Sequence, residues 1–240
     1  MASATLSQIR RTALDSLASD LHRIFGNRLY SVCAYGDDES SDADVRSIAL
    51  VDRLAFEDLA ACLPLVRQWD ANRLAVPLIL ERDEFSRTLD VFPLEYGEII
   101  ANHVHVFGDN PFEGLTVADA DLRRGCELQA KSHLIHLREG FLETGGDPRA
   151  VARLIGASAQ GFRRLLSNLV ALVGSGSVHH DDEDLPAAAE RHLGVSSELT
   201  REVLAVAGGG PSTIADPTAL LARYIGAVER LWEFVDTWKA

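Results

Sequence analysis

Residues 28–52 read RLYSVCAYGDDESSDADVRSIALVD. An apolar run from Leu29 to Tyr35 is followed by Gly36, an acidic loop, and a second apolar run from Ile48 to Val51. Short apolar runs rich in Val, Ile and Tyr and bounded by turn formers are strand signals. The spacing therefore predicts two neighbouring strands of one sheet. Gly36 can take the positive φ of a strand exit, or let another group approach the backbone closely.

Upstream, Leu6, Ile9, Ala13, Leu17, Leu21 and Ile24 fall at helical spacing, and Gly26-Asn27 supplies the stop. Downstream, apolar residues recur with helical period from Phe56 to Trp69, and Ala75 to Leu80 reads as a third strand. Pro77 inside it predicts an edge position or a strand start, because proline cannot donate to the ladder. LDVFPLEYGEII is ambiguous between strand and helix; Asp90-Val91-Phe92-Pro93 favours an extended segment, since the residue before proline avoids the α region. HVHVF, residues 103–107, alternates and stops at Gly108-Asp109-Asn110-Pro111, as a further strand would.

Composition patterning then changes. Helical periodicity runs over residues 118–143 and 147–173, with Asp147-Pro148 in the N-cap and N1 pattern. A Gly/Ser and acidic stretch, GSGSVHHDDED, separates these from shorter helices over 185–193 and from Ser196, and Asp216-Pro217 opens a last helix through Trp238. The expected fold is α+β: a small mixed-sheet domain over 1–115, followed by an all-helical bundle over 116–240.

A hydrophobic content of 47% and a charged content of 25% in 240 residues are those of a globular protein with a sizeable core. The net charge of −13 argues against an extended nucleic-acid-binding surface, which Lys and Arg would have to build. It leaves room for a nucleotide or small-molecule site. No window is apolar enough for a membrane span, and the first residues lack a signal-peptide core, so cytoplasmic residence is expected. Cys33, Cys62 and Cys126 have no metal-type spacing and are expected to be structural.

Strand, Gly-led turn, Ser-Asp-Ala-Asp and second strand together resemble the signature of nucleotidyltransferases of the DNA polymerase β superfamily. The family pattern is Gly-Ser or Gly-Gly after the first strand, then Asp-x-Asp at the start of the second. The matching elements here are Gly36-Asp37 and Asp42-Ala43-Asp44. A mixed α/β domain followed by a helical bundle is an arrangement of bacterial members, including those acting on aminoglycosides. LDVFPLEYGEI, with LRRGCELQAKSHLIHLREGFL after it, resembles a nucleotidyltransferase-like subgroup. The resemblance covers most of residues 28–172.

It implies magnesium and an NTP. Asp42 and Asp44 would be metal ligands, Asp90 the third ligand or the base, and Gly36 with Asp37 the phosphate turn. Two carboxylates at i and i+2 on a strand share a face and can serve one metal cluster. This chain departs from the pattern in three ways. Asp37 puts negative charge where the family has a neutral residue, and the loop from Gly36 to Asp42 is short. Aligning on Ile48 to Val51 instead puts Asp44 and Arg46 in the paired positions, and arginine cannot ligate magnesium. Both registers stand on the sequence, beside a plainer reading in which residues 37–44 form a solvated turn. The leading expectation is a nucleotidyltransferase-fold protein with an incomplete metal site, binding a nucleotide, a small molecule or a protein partner through its helical half. The alternative is an active magnesium-dependent enzyme moving a nucleoside monophosphate to a hydroxyl.

Other groups carry weaker signals. His103 and His105 share a strand face but lack a third ligand. His179-His180-Asp181-Asp182 sits in a Gly/Ser context that favours a solvated turn. Glu127, Lys131 and Arg138, near Arg123, have the spacing of helix-supporting pairs; were the helix to pack between the domains, they would face a nucleotide cleft.

Overall fold

The computed structural model describes residues 8–36, 44–174, 184–209 and 214–238. The chain divides into two compact units, Met1–Ala118 and Asp119–Ala240. Among the described residues no helix is long and apolar enough to cross a membrane.

The first unit opens with helix α1 (Gln8–Phe25), which turns through Gly26–Arg28 into strand β1 (Leu29–Tyr35). β2 (Arg46–Val51) follows, then α2 (Phe56–Cys62), α3 (Val66–Ala71), β3 (Leu78–Glu81), α4 (Arg82–Arg87), α5 (Pro93–Ala101) and β4 (His103–Gly108). The four strands lie in the order β3-β2-β1-β4. β1 runs antiparallel to β2 and to β4, whereas β3 lies parallel to β2 at the edge. Pro77 precedes this edge strand, where its missing N–H breaks no ladder.

Both faces of the sheet are covered, which is why β1 and β2 read as continuous apolar runs. Ala49 and Val51 join Leu14, Leu17, Leu21 and Trp69 in one core. Ile48 and Leu50 point the other way, into a core with Phe85, Tyr96 and Ile99. Buried Asp20 of α1 ties the first core to α3: its carboxylate accepts the Trp69 indole N–H at 3.1 Å and a bond from Arg23.

Three sequence expectations are corrected here. The helix expected over 56–69 is broken, because a 3-10 turn at Leu63–Leu65 containing Pro64 separates α2 from α3. The extended segment expected around Asp90 is a turn between α4 and α5, closed by Val91 N–H to the Thr88 carbonyl at 3.0 Å. Pro93 starts α5 instead of ending a strand, its fixed φ and missing N–H suiting the first helical turn. The short α4 was not anticipated; its first turn is held by Glu84, which reaches back to the Glu81 N–H at 3.4 Å.

The second unit is helical throughout its described residues: α6 (Asp119–Glu143), α7 (Pro148–Val173), α8 (Leu185–Leu193), α9 (Ser197–Gly209) and α10 (Pro217–Thr237). α7 is its axis, burying Val151, Ile155, Ala159, Phe162, Leu166 and Leu169. Asp147 and Asp216 cap α7 and α10, each accepting from the N–H three residues on, at 2.7 and 3.0 Å.

The charged set on α6 makes contacts within this unit. Arg123 pairs with Glu127 at 2.9 Å and donates to the Val235 carbonyl at 3.2 Å. The Lys131 ammonium lies 3.5 Å from the Trp232 ring centroid, and Arg138 pairs with Glu229 at 2.7 Å. The contacts to Val235, Trp232 and Glu229 join α6 to α10.

Candidate functional site

The strand exit at Gly36 is where the sequence places a phosphate turn. Gly36 has φ +102°, in the region that favours glycine. Its N–H donates to the Asn102 carbonyl at 3.3 Å, so this donor extends the β1–β4 edge and is not free for a ligand. Arg46 opens β2 directly opposite Tyr35. Its guanidinium lies over the Tyr35 ring, 4.9 Å from the centroid, and Nη2 donates to Glu98 Oε1 on α5 at 2.7 Å. It also covers Gly36: a Cβ at that position would overlap the guanidinium.

Asp44 stands two residues before β2, in coil. The segment is fixed by backbone bonds on both sides of Val45, whose N–H reaches the Arg73 carbonyl at 2.8 Å and whose carbonyl accepts from Ala75 at 2.9 Å. This brings Arg73 beside Asp44, with Nε 3.3 Å from Oδ1. Arg73 itself has φ 60°, the one non-glycine residue with positive φ among those described. It follows the end of α3, where Asn72 and Arg73 donate to carbonyls in the last turn.

Asp37 and Asp42 lie outside the described residues. Asp90 is exposed in the α4–α5 turn. Among the described residues no group of three or more His, Cys, Asp or Glu is placed to hold a metal ion. Magnesium asks for an octahedral cage of hard oxygens. The described donors do not make one: Asp44 is engaged by a guanidinium, and a second guanidinium covers the turn.

Sequence reasoning missed the Arg46–Glu98 pair and Arg73. Arg46 was visible as one register of the Asp-x-Asp motif, but its partner came from a helix that read as ambiguous. Arg73 carried no signal: it lies between the helical period that ends at Trp69 and the strand expected from Ala75. Of the remaining candidates, His179 to Asp182 lie outside the described residues. His103 Nδ1 lies 3.0 Å from the Ile100 carbonyl, with its ring edge-on to Phe112. Cys33, Cys62 and Cys126 are buried and free; burial pushes the Cys33 thiol up to about 11 and the Cys126 thiol up to about 12, which keeps both unreactive.

No family model and no curated protein matches the sequence. Among solved structures, the chain is similar to a spectinomycin adenyltransferase from Enterococcus faecialis, solved with ATP and spectinomycin. The TM-score is 0.53 at 10% identity, over 92% of this chain and 98% of that one. The fold is that of a nucleotidyltransferase. At that identity the likeness speaks for the path of the chain and not for side chains. What the nucleotidyltransferase fold does here depends on the residues at Gly36, Asp44 and Arg46.

Proposed function

We propose that this chain is a nucleotidyltransferase-fold protein with an incomplete metal site, which binds a nucleotide or related small molecule without transferring a nucleotidyl group. Residues 1–115 would carry the ligand site and residues 116–240 the helical half, in a cytoplasmic protein. The observation that carries the reading is the Arg73–Asp44 ion pair, at 3.3 Å. Nucleotidyl transfer needs carboxylates free to hold divalent ions against the triphosphate. Here Arg73 already supplies the cation that Asp44 attracts. Arg46, two residues on, presents another positive charge where the paired carboxylate stands in the second register.

The test is thermal denaturation with each NTP, with and without magnesium. A ligand at a hundredfold excess over its dissociation constant adds about 2.7 kcal/mol to native stability. No magnesium-dependent rise is expected for the wild type. A magnesium-dependent rise that Asp44→Asn abolishes would instead establish the second reading, an active magnesium-dependent enzyme acting on a small-molecule or protein hydroxyl with Asp42, Asp44 and Asp90 as its metal set. That reading is favoured by the Asp42–Asp44 spacing and by the ATP bound in the similar structure. Replacing Asp37 by Ser removes the charge that opposes a triphosphate and is the variant in which a weak magnesium response would first appear.

A further inference from the structure

We propose that Arg46 is an anion-binding residue, which takes a phosphoryl group of a small ligand over Gly36 without a divalent cation. This rests on the reading above and names the ligand chemistry of the same site. Three observations converge on it. Gly36 has no side chain in the space that the Arg46 guanidinium fills, and a Cβ there would overlap the guanidinium as it stands. The Tyr35 ring beneath, 4.9 Å away, holds the guanidinium plane by a cation–π contact. Its carboxylate partner on α5, Glu98, is a weak one, because both side chains are nearly half exposed, at 45% and 42%.

An arginine fork carries five N–H donors, and the Glu98 bond uses Nη2. A phosphoryl group offers a doubly charged set of oxygens that matches the fork in a bidentate way, which one carboxylate oxygen does not. It therefore displaces Glu98. Positive charge supplied by the chain at this turn does what magnesium would do for a triphosphate, so binding needs no metal.

The experiment is calorimetric titration of the full chain with inorganic pyrophosphate and with ADP in EDTA, against sulfate at matched ionic strength. Wild type is expected to bind both without metal, and added magnesium to weaken binding by neutralising the ligand. Glu98→Gln releases the guanidinium and should tighten binding; Arg46→Ala should weaken it about ten- to a hundredfold, the range of a charge-assisted hydrogen bond. Arg46→Lys keeps the charge but loses the fork and should fall between. Absence of binding in wild type and Glu98→Gln alike, or unchanged affinity in Arg46→Ala, overturns the proposal and leaves the incomplete-site reading standing. Binding that requires magnesium and is lost in Asp44→Asn overturns both.

Discussion

Asp44 Oδ1 and Arg73 Nε lie 3.3 Å apart, and Arg73 reaches that position with a left-handed backbone, φ 60°. A non-glycine residue in that region costs roughly 1–2 kcal/mol, while an exposed ion pair returns about 0–1 kcal/mol. Arg73→Gly relieves the strain and keeps the backbone bond to Val45. Its stability is therefore expected within about 1 kcal/mol of wild type, or above it, as read from urea midpoints. The same variant removes the cation that Arg73 sets against Asp44, so a magnesium-dependent thermal shift with NTP, which wild type is not expected to show, should appear. A stability loss above about 2 kcal/mol would show that the Arg73 side chain anchors the loop and is not a mere competitor for the metal.

Arg28 and Asp58 lock the start of β1 to the first turn of α2. Both guanidinium nitrogens reach the carboxylate at 2.8 Å, and Asp58 also accepts the Ala55 N–H at 2.9 Å. The Arg28 bonds, then the Ala55 bond, hold the Asp58 carboxyl down at about 2. A carboxylate whose folded pKa is depressed stabilises the protein above its unfolded value near 3.8, and that stability is lost as pH falls from there towards 2. Asp58→Asn should cost about 1–2 kcal/mol at pH 7, and the difference from wild type should shrink as the pH falls from about 4 towards 2. Denaturation midpoints of the two proteins across pH 2.5–7 check this; parallel curves would disprove it.

Strands flanking Gly36, the helical half and its caps were legible because each rests on local chemistry: runs of Val and Ile, the Asp-Pro pairs at 147–148 and 216–217, glycine stops. Pro93 shows the limit. Asp90-Val91-Phe92-Pro93 satisfies the rule for an extended residue before proline and equally the rule for proline opening a helix. Only the packing of Tyr96 and Ile99 against Phe85 decides between them. The site was half legible for the same reason. Gly36 and Asp44 announce themselves by type and spacing. The charges set against them come from Arg73, after α3, and from Glu98, on α5, tens of residues away, and pairing between distant elements leaves no periodic trace.

Gly108 ends β4 with φ +80°, and a Cβ there would overlap the Tyr30 carbonyl oxygen in β1. Backbone cannot step aside as a side chain can. Gly108→Ala therefore combines an unfavourable φ with a main-chain clash where Gly108 pairs with Ser31 of β1. A loss of about 2–4 kcal/mol is expected, with hydrogen exchange accelerating in β4 before the rest of the sheet. An alanine variant as stable as wild type would mean that β4 ends before Gly108 in solution.

His133 and Tyr224 make the helical half sensitive to acid. His133 Nε2 lies 2.5 Å from the Tyr224 hydroxyl, and its ring stacks on Phe162 at 6.3 Å. Burial first, and then the neighbouring charge of His136, hold the His133 pKa down to about 4. A histidine whose folded pKa lies below its unfolded value near 6.5 is neutral in the native state, so the unfolded chain binds the extra proton between those values. Stability is complete above pH 6.5 and falls as the pH drops towards 4, by about 2–3 kcal/mol in all. His133→Gln keeps a hydrogen-bonding group but cannot titrate, so its stability should be lower at pH 7.5 and nearly level down to pH 5. Hydrogen exchange of the α6 and α10 amides at pH 7.5 and 5 separates this unit from the sheet, whose Asp58 responds only in stronger acid. Equal pH slopes for wild type and His133→Gln in those amides would show that another group carries the response.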